Sequence, residues 1–427
     1  MSDNIVSLQD RKLEEAEARI EDAERNSYYV RGSELADILK TKMWLQRYNG
    51  TFEEYCEDRW ELRASQVYAL IGAATFAAKV RHGGLPVPSS ERHIRPILGR
   101  LDAEDDKLAV WREVLATTNG AKIKTKDVED AISRFLAYRD KEYVTLDEWR
   151  EMPTGARSAV LSRVGKRTLN KQDNRDIEWA NWSWNPVTGC LHGCPYCYAR
   201  DIAFDIYPAE VGFGSTIWPD RLTAPANQKP PQSEVVADKN IFTCSMADLF
   251  GRWVPDEWIN KVLSVAADNS QWNFLFLTKF PKRMAEFDIP ANAWMGTTVD
   301  VQARVANAER AFDKVKAPIR WLSIEPMIEP LKFTNLGLFD WVVIGGASAS
   351  KSMDGTPSTP AWNPPIEWLI DLHQQARAAG CKIYYKTNSG LSDMTRIREF
   401  PGRDSAAPVA PDVFNYLRNI PQKDRVG

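Results

Sequence analysis

After Asp176 the chain runs through short apolar segments separated by helical stretches. The segments are Ile177–Trp184, Asn240–Met246, Asn273–Lys279, Ala293–Val299, Ile319–Glu325, Asp340–Gly346 and Lys382–Thr387. Some, such as WVVIGG and FLFLTK, are apolar at nearly every position. A strand tolerates that when both of its faces are buried, as in a parallel sheet covered by helices. Helical patterns fill most of the gaps, among them Pro255–Asp268, Val301–Lys316 and Pro365–Ala379, the last followed by Gly380 where a helix C-cap favours glycine. So many strand-helix units exceed a small doubly wound sheet. They predict an α/β fold, a complete or partial (β/α) barrel over residues 177–390, with its chemistry at the C-terminal ends of the strands. Those ends carry Cys244, Ser245 and Asp248, then Thr278-Lys279, Thr297-Thr298, Glu325-Pro326, Gly345-Gly346 and Lys386.

The 427 residues are 44% hydrophobic and 26% charged, enough material for two or three domains. No stretch approaches the roughly 18 apolar residues of a membrane span, and the polar start lacks the apolar core of a signal peptide. A cytoplasmic location with no membrane partner is expected. Residues 1–27 read as a helical arm whose charge-rich part, 10–26, is a solvated helix. Residues 28–153 read as an all-α domain. Leu35, Ile38, Leu39 and Met43 form an apolar stripe, Thr51 and Glu54 a capping box, and a further helix spans Ala64–Val80. The short join Trp60–Ser65 is that of a helix-turn-helix pair, whose second helix enters a major groove when such a pair binds DNA. Arg63, Lys79, Arg81, Arg92, Arg95 and Arg100 face a single acid, Glu91, between Leu62 and Arg100, a local excess suited to phosphates. The stretch Pro86–Leu136 resembles the accessory region of phage and plasmid DNA-binding proteins, with helices around Leu108–Leu115 and from Thr125, read as its cap, to Leu136. A protein-interaction module is the alternative. Residues 154–176, basic and free of acids as far as Lys171, read as a linker, and 391–427 as a tail.

The densest chemistry lies in WNPVTGCLHGCPYCYAR, where Cys190, Cys194 and Cys197 stand in a C-x3-C-x2-C pattern. Six cysteines in a reducing compartment point away from structural disulfides. A loop with Gly193 and Pro195 can curl so that three sulfurs face inward. Three thiolates on a four-iron cluster leave one iron open, whereas structural zinc needs four protein ligands. A zinc site completed by His192 or Cys244, and a set of unpaired buried cysteines, are the alternatives. Cys56 and Cys381 sit in core patterns.

The loop, with Tyr196 just before its last cysteine, resembles the signature of the radical S-adenosylmethionine (SAM) superfamily. The blocks WNPVTGC, FTCSMADLFGRWVP, FLFLTKFPKR, WMGTTVD, WLSIEPM and DWVVIGGAS are similar to a phage-encoded radical SAM family, and more distantly to the spore photoproduct lyase family. The resemblance implies a [4Fe-4S] cluster on Cys190, Cys194 and Cys197, with SAM on the fourth iron, cleaved to a 5′-deoxyadenosyl radical, and an external electron donor such as flavodoxin or ferredoxin. Tyr196, next to the cluster, is read as a packing surface for adenine, with a core aromatic the alternative. Ser245 and Asp248, at the end of the second strand, are read as contacts to the methionyl amine or ribose, since a buried carboxylate there would pair with a cation, with a helix-capping Asp248 the alternative. Thr278, Lys279 and Glu325 stand at later strand ends, where the barrel rule places further SAM or substrate contacts. The resemblance to spore photoproduct lyase makes Cys244 the donor that returns a hydrogen atom to the product radical, with a buried core cysteine the alternative. There is no clear Gly-Gly-Glu block after the first barrel helix. Trp179, Trp182 and Trp184 beside the loop suit stacking on a base, or packing of the barrel interior.

The expected activity is rearrangement or other remodelling of a thymine-derived base in phage DNA, a hypermodification that evades host nucleases. Such a base would be flipped out or single-stranded. Lesion repair on fused thymines is the alternative enzyme, and an iron-sulfur or zinc DNA-binding regulator the alternative of another class.

Overall fold

The computed structural model describes residues 2–22, 27–172, 177–351, 358–392 and 396–402. The chain forms two compact units, Met1–Lys141 with Met152–Val160, and Glu142–Glu151 with Leu161–Gly427. The end of the expected linker (173–176) and most of the expected tail (403–427) lie outside the described residues.

The first unit is helical, with α1 (Ser2–Asp22), α2 (Tyr28–Thr41), α3 (Phe52–Trp60), α4 (Ala64–His82), α5 (Glu91–Arg100), α6 (Glu104–Thr118) and α7 (Thr125–Arg139). Helix α8 (Leu146–Glu151) belongs to the second unit, and the first ends on α9 (Thr154–Ser162). Three sequence expectations are corrected here. Helix α1 is no solvated arm: Leu13, Ala16 and Ile20, one helical face under the charges, are buried against Leu35, Ile38, Trp44, Phe52 and Val67. Residues 154–162 are a helix that buries Gly155, Ala156, Ala159 and Val160, the small residues having masked its apolar face. And α7 is opened by Lys124, whose N–H donates to the Asp127 carboxylate at 2.7 Å, with Thr125 already helical. The capping box of α3 forms as read, with Glu54 N–H on Thr51 Oγ1 at 3.2 Å and Thr51 N–H on the Glu54 carboxylate at 2.8 Å.

Helices α3 and α4 are joined through Glu61 in the left-handed region (φ 57°), and Arg63, Ser65, Gln66 and Tyr68 at the start of α4 are exposed. The surroundings are less basic than the sequence suggests. Helix α3 carries Glu53, Glu54, Glu57 and Asp58 against Arg59, and Tyr68 donates to Glu53. Lys79 pairs with Glu104 and Arg95 with Glu91, both at 2.8 Å, and Arg81 lies over the Tyr29 ring. Acid beside the leading helix opposes a phosphate backbone there.

The second unit contains β1 (Val144–Thr145), β2 (Asn170–Lys171), β3 (Trp182–Trp184), β4 (Val187–Thr188), α10 (Tyr198–Ile206), β5 (Thr216–Ile217) and α11 (Ala224–Asn227). It continues with β6 (Asn240–Thr243), α12 (Asp256–Asp268), β7 (Asn273–Thr278), α13 (Pro281–Met284), β8 (Ala293–Thr298), α14 (Gln302–Phe312), β9 (Ile319–Ile324), β10 (Trp341–Ile344), α15 (Ile366–Ala378) and β11 (Lys382–Tyr385). The main sheet has eight strands in the order β11-β10-β9-β8-β7-β6-β3-β2. All neighbours pair in parallel except β2, which runs antiparallel to β3 with Asn170 opposite Ser183. Among the described residues the sheet is open at β2 and β11, so no closed barrel forms. Strands β1, β5 and β4 make a small separate sheet.

Both faces of the main sheet are buried, as the apolar runs require. Helices α12, α14 and α15 supply buried residues such as Val262, Phe312 and Leu372. A second layer is aromatic: Trp179 lies with its ring 5.1 Å from Trp321 and 4.8 Å from Phe242, in one cluster with Trp294, Trp341 and Tyr384. Much of the tryptophan wealth is therefore interior packing. Among the described residues no helix is long and apolar enough to cross a membrane.

Candidate functional site

The C-terminal ends of the parallel strands open onto a cavity of about 480 Å³, lined by Cys244, Ser245, Asp248, Thr278, Lys279, Thr298, Glu325, Gly346 and Lys386. Its floor is the aromatic cluster, through Trp179, Phe242 and Leu277. One wall is the cysteine loop, whose Cys190, Cys194, Tyr196 and Cys197 all border the cavity.

The loop is fixed at its start by backbone. Gly189 N–H donates to Met246 O at 2.8 Å, and Cys190 N–H to Phe213 O at 3.1 Å. Gly189 has φ 85°, and a Cβ there would stand 2.0 Å from the Gly214 carbonyl, so any side chain would push the strands apart. Gly193, at φ 67°, then turns the chain, Cys197 N–H meets Cys194 O at 3.3 Å, and α10 begins at Tyr198. Ser350 and Thr359 hydroxyls hold the far side through Pro195 O, at 2.8 and 3.1 Å.

The thiols are free. Burial pushes Cys190 up to about 12, against a smaller pull from the His192 amide, and raises Cys197 against the amides of Arg200 and Ala199. Each of these thiols is further raised by the negative charge its neighbours would carry. Cys190 and Cys197 therefore keep their protons unless a bound cation takes the protons' place, as the iron of an iron-sulfur core would. Among the described residues no three His, Cys, Asp or Glu side chains are grouped to hold a single metal ion. His192, the zinc ligand weighed from the sequence, bonds Asp248 through Nε2 at 2.8 Å. Cys190, Cys194 and Cys197, which all border the cavity, are the residues that could hold a metal cluster there.

Asp248, 4% exposed, is the hub of the site. Its Oδ1 accepts from Thr278 Oγ1 at 2.6 Å and Phe250 N–H at 3.2 Å, and its Oδ2 from Lys279 N–H at 2.9 Å and from His192. Four donors use the four lone-pair sites of a carboxylate, so Asp248 joins the cysteine loop to the ends of β6 and β7 and has none to spare for a ligand amine. Ser245 pairs with Asn185, whose Oδ1 also receives Met246 N–H at 3.0 Å. Tyr196 donates to Asp300, beside the Lys279 ammonium at 3.9 Å and the Arg304 guanidinium at 2.6 Å. Burial first, then the Asp300 charge, raises the Tyr196 phenol. Glu325 receives Lys386 Nζ, and Lys351 Nζ meets Asp205 at 2.7 Å. Each of the lining lysines faces a carboxylate.

Cys244 is 3% exposed and sits at φ 58°, unusual for a residue with a Cβ. Burial pushes its thiol up to about 12. Trp182 and Trp184 do not face the cavity: their indole N–H groups donate to Asp238 O at 2.9 Å and Arg221 O at 2.6 Å, and their rings pack on Trp272 and Phe274. Asn185, Asp300 and Lys386 are site residues that the sequence reading did not assign. The first follows β3 in an irregular loop, while Asp300 and Lys386 stand just past strand ends, where the barrel rule already pointed.

Fold and site define a parallel α/β protein with a cysteine-walled cavity at the strand ends. Residues 174–404 match the family described as "Protein of unknown function (DUF5131)", and the chain belongs to that family. No curated protein matches the sequence. Two solved structures align weakly, a tyrosine-to-phenylalanine mutant of spore photoproduct lyase and spore photoproduct lyase complexed with dinucleoside spore photoproduct. Both give a TM-score of 0.33 over 54% of this chain, covering 84% and 85% of theirs at 9% and 10% identity.

Proposed function

We propose that the chain is a radical SAM enzyme acting on a nucleic-acid base, with a [4Fe-4S] cluster held by Cys190, Cys194 and Cys197 and SAM in the adjoining cavity. The observation that carries this reading is the placing of all three thiols of one C-x3-C-x2-C loop on the wall of one cavity, at the C-terminal ends of parallel strands. When bound, the cluster and SAM would supply a 5′-deoxyadenosyl radical able to take a hydrogen atom from an unactivated C–H bond.

The chain's own residues supply position and exclusion. Asp248 and His192 fix the loop, while Thr278 and Lys279 are held by the same carboxylate. The matched charges of Lys279 with Asp300 and Lys386 with Glu325 suit a zwitterionic sulfonium amino acid better than an anion. Trp179, Phe242 and Leu277 offer an apolar floor to a flat ring and exclude water. Tyr196 lines the same space and is available to an adenine. Cys244 keeps its proton at any physiological pH, because burial disfavours the thiolate. A permanently protonated S–H is a hydrogen-atom donor and a poor nucleophile, which supports the donor role.

The substrate we assign is a thymine-derived base in phage DNA, remodelled in a hypermodification that evades host nucleases. The test is SAM cleavage by the reduced, reconstituted protein with two DNAs. Acceleration by DNA carrying 5-substituted methyluracil supports hypermodification, and acceleration by irradiated DNA alone would replace it with lesion repair. No 5′-deoxyadenosine with either DNA would return the chain to the regulator class.

A further inference from the structure

We infer that the turn Arg163-Val-Gly-Lys-Arg167 is a phosphate platform that seats the DNA backbone at the cavity end of the sheet. The inference rests on the nucleic-acid reading above and deepens it. The cavity offers a phosphodiester little, since its Lys279 and Lys386 are largely buried against Asp300 and Glu325. The first unit sets acid beside its leading helix. The attraction must therefore come from elsewhere.

The turn has the required composition. Residues 163–171 hold Arg163, Lys166, Arg167 and Lys171 and no acid. The turn is also built rather than loose. Gly165 N–H donates to Thr223 Oγ1 at 3.0 Å, Thr223 Oγ1 donates to Gly165 O at 2.9 Å, and Asn227 Nδ2 donates to Gly165 O and Arg167 O, each at 2.9 Å. Gly165 lies so close to Asp220 that a Cβ would stand 2.0 Å from its carbonyl oxygen. Arg163 pairs with Asp220 at 2.8 Å, while Lys166 and Arg167 stand at the exposed crest, Arg167 in a loose 3.8 Å pair with Glu142 that water screens because both side chains are about two-thirds exposed. Val164, next to Arg163 in the turn, is 81% exposed, an apolar tip that fits against a sugar or base. Together these residues line a groove of about 360 Å³.

Its location follows from register. Strand β2 runs antiparallel to β3, with Lys171 opposite Trp182 and Asn170 opposite Ser183. Tracing back from Asn170 toward Arg163 thus leads past the C-terminal end of β3, the end that feeds the cysteine loop. The same end is marked by Trp184, whose indole bonds Arg221 O next to Asp220. A turn pinned by four hydrogen bonds presents its cations with little ordering cost on binding, as a flexible linker would not.

The test is fluorescence anisotropy with a short labelled oligonucleotide, single-stranded and as a duplex, across a range of salt. Reversing the crest charges (Lys166→Glu with Arg167→Glu) is expected to weaken binding at least ~10-fold and to lower the salt slope by about 2, one for each phosphate no longer neutralised. The neutral pair Lys166→Gln with Arg167→Gln should fall between reversal and wild type. Lys314→Glu with Lys316→Glu makes the same charge change at the opposite end of the sheet, before β9, and should bind as wild type. A wild type that binds neither DNA, or a crest reversal no weaker than the control, overturns the inference. The measurement reads DNA affinity alone and stands whether or not SAM is cleaved.

Discussion

His192 Nε2 lies 2.8 Å from Asp248 Oδ2, joining the middle of the cysteine loop to the residues that follow β6. The imidazole is wedged in place, stacked on Phe280 with ring centres 4.7 Å apart and edge-on to Trp253 at 5.2 Å. A loop of glycine, proline and polar residues would otherwise pay the entropy of ordering three ligands each time it met a metal. This contact makes the order permanent.

His192→Ala should therefore weaken iron retention by about 10- to 100-fold, the usual effect of losing a residue that orients metal ligands. Competition with a chelator reads it without any assay of turnover. His192→Gln, which can still donate to Asp248, should recover part of the loss. Equal retention in all three proteins would show that the loop needs no such tie.

Cys244→Ala should leave 5′-deoxyadenosine formation intact and change the product distribution, because the substrate radical must then find another hydrogen source. Nucleoside mass spectrometry of the treated DNA checks it. An identical product spectrum removes Cys244 from the reaction.

His373, behind the site on α15, donates to or accepts from the buried Tyr385 hydroxyl at 2.9 Å, and burial lowers its pKa to about 4. The folded state thus keeps His373 neutral where the unfolded chain, near 6.5, takes a proton. The sign follows: stability is unaffected by this group above about pH 6.5 and falls as pH drops from there toward about 4. The upper limit is about 3 kcal/mol. Urea midpoints at about pH 7.5 and about pH 5 should separate less in His373→Phe than in wild type.

Thr51→Ala removes the hydroxyl that accepts from Glu54 N–H at the start of α3, leaving the Thr51 backbone bond to Glu54, and should cost about 1 kcal/mol of stability in the first unit. Hydrogen exchange of the full chain should show protection falling in α3 and the helices it packs against, while the second unit is unchanged.

Each of the seven parallel strands is legible in the sequence, since VVI and FLFL patterns survive only between two covered faces. The three cysteines are conspicuous by their spacing on one short loop, and the structure sets all three on one cavity wall. The partners are not. Asp248 reads from the sequence as a ligand contact or a helix cap, and the convergence of Thr278, Lys279, Phe250 and His192 on it makes it a clamp instead. Tryptophans beside the loop read as base-stacking surfaces, yet β-pleat alternation and the cross-sheet neighbours Trp272 and Phe274 turn Trp182 and Trp184 inward. Helix α1 and the 154–162 helix escape a sequence reading because charge and small residues dilute their apolar faces, which are completed by segments distant in sequence.

The central claim is that three cysteines hold an iron-sulfur cluster with one iron left open. Anaerobic reconstitution followed by iron and sulfide analysis and low-temperature electron paramagnetic resonance, with and without SAM, addresses it directly. The account expects about four irons per chain, lost in Cys190→Ala, Cys194→Ala and Cys197→Ala, and a reduced-cluster signal that shifts when SAM is added. A chain that takes up a single zinc, or an iron signal indifferent to both SAM and the three substitutions, would contradict it.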